Sequence, residues 1–242
     1  MKGQFVFQSP ADHTEANIYA DKSALILSWL LTLEQERRDG FSVREVSKEV
    51  GVSVGLVQRV FSLLVSNGLM QTKGLRTAKK FFFKKGGLLL KDWLDHYSIT
   101  KKCKMRTYRS GFQEKAEFFD ALQKANLSSN VVLALHSAAE VYGCKNTNLD
   151  TLELYVLSPM DRKRVEETLQ LEPQERGYEV LLIDPYYNGL LGTESISEKG
   201  VKASPALLTF LDLYHYPLRG QEQAEFMAER IPELSRIYKR FA

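Results

Sequence analysis

From residue 41 to residue 68 the apolar positions fall three and four apart, break, and resume. Val43, Val46 and Val50 make one stripe; Val57, Val60, Phe61 and Leu64 make a second. This spacing sets side chains on one face of a helix, so two short helices meeting at a tight turn are expected. Ser42 caps the first, and Glu45 three residues on completes a capping box. Gly51 ends it, because glycine accepts the left-handed backbone that other residues resist. Ser53 caps the second helix, which closes at Asn67-Gly68. Away from its stripe, that helix carries Ser53, Val54, Gln58, Arg59 and Ser62. A recognition helix needs such a face: small residues admit its N-terminus to a major groove, where Gln pairs with adenine and Arg with guanine. A helical hairpin in a core has the same apolar spacing, so the flanking sequence has to separate the two.

The stretch from Leu69 to Gly86 reads as a strand, a turn at Gly74 and a second strand ending in Phe81-Phe82-Phe83. A β-hairpin after a recognition helix is a wing. Charge then changes the picture. Residues 71 to 110 carry twelve Lys or Arg against Asp92 and Asp95, whereas the whole chain is only +3. A basic block beside a helix-turn-helix is the footprint of phosphate contacts. The expected DNA contacts are Ser42, Arg44, Ser53, Val54, Gln58, Arg59 and Ser62 on the helices, with Lys73, Arg76, Lys79 and Lys80 on the wing.

Before this unit, Lys22 to about Arg38 is an amphipathic helix on Leu25, Trp29, Leu30 and Leu33, ended by Asp39-Gly40. After it, Leu88 to Tyr97 is a helix, and Lys101 to Arg109 alternates like a half-exposed strand that Ser110-Gly111 breaks. From residue 111 onward twenty acidic residues face fourteen basic ones. Helices are expected over Glu114–Lys124, Ser137–Tyr142, Met160–Leu169, Ser204–Leu213 and Gln221 to about Arg230. Thr151–Leu157 and Tyr178–Ile183 read as strands, and Val131–Leu135 as a short buried strand or helix start. Alternating strands and helices suggest a small sheet packed against helices. The expected division is 1–98 for DNA binding and 104–242 for a second, α/β domain, an α+β chain overall.

At 242 residues, 44% hydrophobic and 26% charged, the composition is that of an ordinary globular protein. No apolar run approaches the roughly 18 residues of a membrane span. The first ten residues lack the apolar core of a secretory signal, and Cys103 and Cys144 are the only thiols, so a cytoplasmic protein with reduced cysteines is expected.

Two further stretches are Leu133 to Gly143, with its His136-Ser137-Ala-Ala run, and Ala203 to Glu225, with Ser204-Pro205, Asp212-Leu213 and Arg219-Gly220. Together with the winged helix, in this order over nearly the full length, the chain resembles the AbiEi-type antitoxins of bacterial type IV toxin–antitoxin systems. The resemblance implies an antitoxin that binds operator DNA, represses its own operon and counters a nucleotidyltransferase-like toxin encoded nearby. A homodimer on an inverted repeat fits that role. The resemblance also implies a C-terminal domain with a degenerate nucleotidyltransferase fold.

Active nucleotidyltransferases alternate two carboxylates on one strand, with a third nearby, to hold metal ions on substrate phosphates. Here Glu153 alternates with Tyr155, and Asp184 ends a later strand. One carboxylate and a phenol do not clamp two metals, so Glu153 is expected on the solvated face of an edge strand, and no catalysis, metal or cofactor is expected. His13, His96, His136 and His215 lack zinc-motif spacing, and no nucleophile elbow surrounds Ser137. A one-component regulator whose C-terminal domain senses a small ligand or nucleotide is the other reading.

Overall fold

The structure, a computed structural model, describes residues 17–33, 40–75, 79–193 and 195–238. Three helices open it: α1 (Asp21–Thr32), α2 (Val43–Val50) and α3 (Val54–Ser66). The predicted caps are in place. Glu45 N donates to the Ser42 hydroxyl at 3.2 Å and Ser42 N to the Glu45 carboxylate at 3.3 Å, closing the capping box. Gly51 sits at φ 73° and turns the chain out of α2, and Ser53 caps α3 through Leu56 N. Between α2 and α3 the chain bends by 119°.

A two-stranded antiparallel hairpin comes next, β1 (Met70–Lys73) and β2 (Lys80–Phe83). Phe41 extends it by one residue, exchanging both backbone hydrogen bonds with Phe81. Just before, Gly40 holds φ 91°, a backbone that a larger residue adopts only with strain, and the Phe82 ring lies 3.0 Å from where a Cβ would stand, so the ring would also have to give way. Phe41, Phe61 and Phe81 pack together inside this unit, with ring centroids 5.6 and 4.8 Å apart along the series.

Two expectations shift here. The first helix ends at Thr32, because buried Leu33 is already extended; the rest of the predicted helix, to about Arg38, and Asp39 of its predicted stop lie outside the described residues. Its buried face is Ala24, Ile26, Leu27, Leu30 and Leu31, with Leu25 and Trp29 only half-buried. The strand expected from Lys101 begins instead at Lys104. Ile99 is buried and starts a helical turn, α5 (Ile99–Lys102), that Cys103 N closes onto the Ile99 carbonyl. Alternating charges do not distinguish a short turn from a strand end.

Beyond α4 (Gly86–His96) and α5 lies a mixed seven-stranded sheet in the order β6-β3-β7-β5-β4-β9-β8. Its strands are β3 (Lys104–Ser110), β4 (Val131–Leu133), β5 (Leu152–Val156), β6 (Leu171–Pro173), β7 (Val180–Asp184), β8 (Ser197–Glu198) and β9 (Val201–Ala203). The pairs β5·β7 and β4·β9 are parallel and the others antiparallel. The remaining helices are α6 (Lys115–Lys124), α7 (Leu135–Val141), α8 (Pro159–Thr168), α9 (Asn188–Leu191), α10 (Ala206–Tyr214), α11 (Gly220–Arg230) and α12 (Pro232–Tyr238).

Strand side chains alternate between the two faces. Leu152, Leu154, Val156, Val180 and Leu182 meet Phe118, Phe119 and Leu122 of α6 and Val165 of α8. Tyr155, Leu181 and Ile183 face the other way, into a larger cluster that runs without a break from Ile18 and α1–α4 to α10–α12. The N-terminal helices and the sheet's second face therefore share one core. Cys103 and Cys144 are both buried and free. No single helix among the described residues is long and apolar enough to cross a membrane.

Candidate nucleic-acid interface

Helix α3 buries Val57, Val60, Phe61 and Leu64 and turns Val54, Gly55, Gln58, Arg59, Ser62 and Ser66 to solvent. These exposed positions recur at helical spacing and form one polar stripe with an apolar start, Val54 being 48% exposed. The Gln58 amide donates to Ser62 Oγ at 3.1 Å, one turn on, which orients it along the helix. Arg59 has no acidic partner among the described residues, and neither has the exposed Arg44 on α2. Ser42 and Ser53 are occupied as caps. Their oxygens accept from backbone N–H groups, and each keeps a hydroxyl proton to donate.

On the hairpin, Lys73 and Lys80 are direct cross-strand partners, both exposed. Like charges in that position repel one another. Glu45 relieves part of it, its carboxylate lying 3.7 Å from Lys80 Nζ. The Lys79 ammonium lies 5.2 Å from the centroid of the Phe81 ring. Arg76, the remaining predicted wing contact, lies outside the described residues. The structure thus brings α3 and the described hairpin lysines onto one structural unit, tied together through Phe41, Phe61 and Phe81. One signal in the sequence sharpens this surface. No Asp or Glu occurs between Glu49 and Asp92, while Arg59, Lys73, Arg76, Lys79, Lys80, Lys84, Lys85 and Lys91 all do.

The carboxylates of the sheet are not where a solvated edge would put them. Glu153 lies on β5, a central strand between β7 and β4, and is 0% exposed. Strand order, which decides this, is not written in the local pattern. Four donors surround the carboxylate: Ser137 N at 2.9 Å and Ser137 Oγ at 2.5 Å on one oxygen, Thr151 Oγ1 at 2.5 Å and the Tyr178 hydroxyl at 3.2 Å on the other. Asp184 is not its neighbour. Glu153 pairs with Leu181 on β7, so Asp184, three residues along, points to the opposite face, where it meets Arg106 and Arg162. His136 and Ser137 form no dyad, since His136 Nε2 lies 2.8 Å from the Leu218 carbonyl while Ser137 turns to Glu153.

Sequence reasoning passed over a second buried carboxylate. Asp212 on α10 is wholly buried, and its two oxygens accept from the Tyr97 and Tyr155 hydroxyls at 2.7 and 2.6 Å. Burial raises its pKa from the usual 3.8 to about 7, against the two phenol hydrogen bonds that lower it. The Cys103 thiol close by is pushed up to about 12, mainly by burial and further by Asp212. No group of three His, Cys, Asp or Glu side chains that can hold a metal ion occurs among the described residues. Comparison of the chain with protein-family models, curated proteins and solved structures finds no match in any of the three.

Proposed function

We propose that this chain is a DNA-binding transcriptional autorepressor that reads its operator with a winged helix-turn-helix and also serves as the antitoxin of a type IV, AbiE-like toxin–antitoxin system. The observation that carries the DNA-binding part is the exposed face of α3. It offers Gln58, Arg59 and Ser62 with no acidic side chain on the same helix, next to a hairpin whose described charges are all lysines. The 119° bend between α2 and α3 lies within the range of helix-turn-helix pairs, and the Lys73–Lys80 pair is a repulsive arrangement that a phosphate would relieve.

The antitoxin role rests on the resemblance of Leu133–Gly143 and Ala203–Glu225 to that family. So do the partner toxin, a nucleotidyltransferase-like protein encoded nearby, and the degenerate nucleotidyltransferase fold of the C-terminal part. In support of degeneracy, Glu153 is taken up by four internal donors and its alternate neighbour Tyr155 is bonded to Asp212, so we assign no nucleotidyl transfer, metal or cofactor to this face. Pairing of two protomers on an inverted repeat would set two α3 helices into successive major grooves.

The test is fluorescence anisotropy with the DNA upstream of the protein's own gene, beside a random duplex of equal length. Specific binding that weakens steeply with salt is expected. Equal affinity for both duplexes would remove the repressor reading. Co-expression with the neighbouring toxin tests the second role, and failure to restore growth would sink it.

A further inference from the structure

Where the N-terminal helices meet the C-terminal ones, a cleft of about 700 Å³ opens to solvent. Small-molecule sites span roughly 300–1,000 Å³, so the cleft has room for a compact ligand. Trp29 comes to it from α1, Val50 from α2, Leu207 from α10, and Leu234 and Ile237 from α12. The walls are mostly aliphatic and aromatic.

Charge stays at the rim and has both signs. Glu49 and Glu233 border the cleft at exposed positions, where water reaches them. Glu49 is also engaged by the protein, accepting from Trp29 Nε1 at 3.0 Å. The Arg236 guanidinium lies at the same rim and donates to the Thr32 carbonyl at 3.4 Å. Most hydroxyls of the lining are taken up internally. Thr32 Oγ1 donates to the Ser28 carbonyl at 2.9 Å, Thr193 Oγ1 to that of Leu190 at 2.7 Å, and the Tyr142 hydroxyl to that of Ser204 at 3.1 Å. Ser195 differs: its Oγ stands in the wall, shut off from solvent, with no hydrogen-bond partner.

These features select among occupants. An ion of either sign would shed its water between apolar walls and meet no uncompensated countercharge there. A pure hydrocarbon would fill the walls but leave the Ser195 hydroxyl unpaired, at the cost of a buried polar group. A neutral body with one hydrogen-bonding group satisfies the walls and the hydroxyl together, and the rim charges keep their water and their partners. We infer that the cleft is a binding site for a compact neutral lipophile bearing one polar group, with Ser195 as the residue that pairs with it. The site stands on its own geometry and holds whether or not the chain binds DNA.

Phenylnaphthylamine, a neutral dye that brightens in apolar surroundings, tests this on the full chain. Its fluorescence should saturate near one equivalent per chain. Octanol, octylammonium and octanoate share one alkyl chain and differ in charge, so their power to displace the dye reads the preference directly. Octanol should displace it at least about tenfold better than either ion. Ser195→Ala removes an unpaired hydroxyl, so the variant should melt like the parent, and it should bind octanol about fivefold more weakly. Ile196→Asp, at an exposed position of the same lining, should weaken both dye and octanol by placing a charge at the apolar wall. The expected pattern is saturable dye binding, octanol preferred over both ions, and losses in both variants. Absence of saturable binding overturns the proposal. So does an ion that displaces the dye as well as octanol does, or parental octanol affinity in either variant.

Discussion

Arg59 stands on the exposed stripe of α3, one residue from Gln58 and opposite the buried Val57, Phe61 and Leu64. If it reads a guanine, Arg59→Ala should cost about 1–3 kcal/mol on the cognate operator and far less on random DNA. Equal losses on both duplexes would reduce Arg59 to a phosphate contact. Asp212 supports a different kind of prediction. Its folded pKa of about 7 is raised above the usual 3.8, so between these values the folded chain holds a proton that the unfolded chain has released. Stability therefore falls as pH rises through that window and levels off above it. A shift of this size corresponds to a loss on the order of 4 kcal/mol across the window. Urea unfolding at pH 5 and pH 8 should show the part of that loss that lies above pH 5, roughly 3 kcal/mol, in the parent and a flatter profile in Asp212→Asn. An unchanged profile would place the titration in another group. The two cases differ in how far the sequence exposes them. The caps Ser42, Gly51 and Ser53 act on backbone within a few residues, and a linear reading finds them. The burial of Glu153 and Asp212 is set by which strands and helices lie beside them, and composition cannot show that.

At the scale of elements, long periodic segments were the legible ones. Helices α2, α3, α6, α8, α10 and α11 fall where their apolar spacing and caps put them, and β5 and β7 fall where short apolar runs do. Most pieces that escaped are short: α5, α9, β6, β8 and β9 have two to four residues each, too few to show a period, and the seven-residue α12 beyond Arg230 escaped as well. They form through pairing and contact with what surrounds them. The hairpin was legible because Gly74 separates two runs of distinct character, and it carries its own prediction. Replacing Lys73, Arg76, Lys79 and Lys80 by Ala should lower the slope of log affinity against log salt by about one unit for each phosphate no longer neutralised. Lys80 should contribute less than Lys73, because Glu45 already lies 3.7 Å from it. A quadruple variant with parental affinity and salt slope would take the hairpin out of the interface.

For the whole molecule, charge and core divide the chain differently. The basic block ends near residue 110 and the acidic part starts there, which suggests two parts meeting between residues 98 and 104. The apolar core ignores that line. One cluster joins Ile18, Leu30 and Trp93 to Tyr187, Phe210 and Ile237. Polar ties cross the same seam: Trp93 Nε1 donates to the Tyr187 hydroxyl at 2.9 Å, Tyr97 to Asp212 at 2.7 Å, and Gly189 N to Asp21 at 2.9 Å. Charge patterning reports which surfaces meet which partners, whereas burial reports what folds together, and only the first can be read along the sequence. A fragment of residues 1–98 would expose apolar side chains that the full chain covers with α9, α10 and α12, and would leave the Trp93 indole and the Tyr97 hydroxyl without their partners. Full-length unfolding should accordingly be a single transition, with far-UV circular dichroism and tryptophan fluorescence coinciding. The fragment should melt well below the full chain, and it should bind operator more weakly even where its α3 face is intact. Two resolved transitions in the full chain, the lower one matching the isolated fragment, would show instead that the N-terminal part is an independent folding unit that merely rests on the sheet.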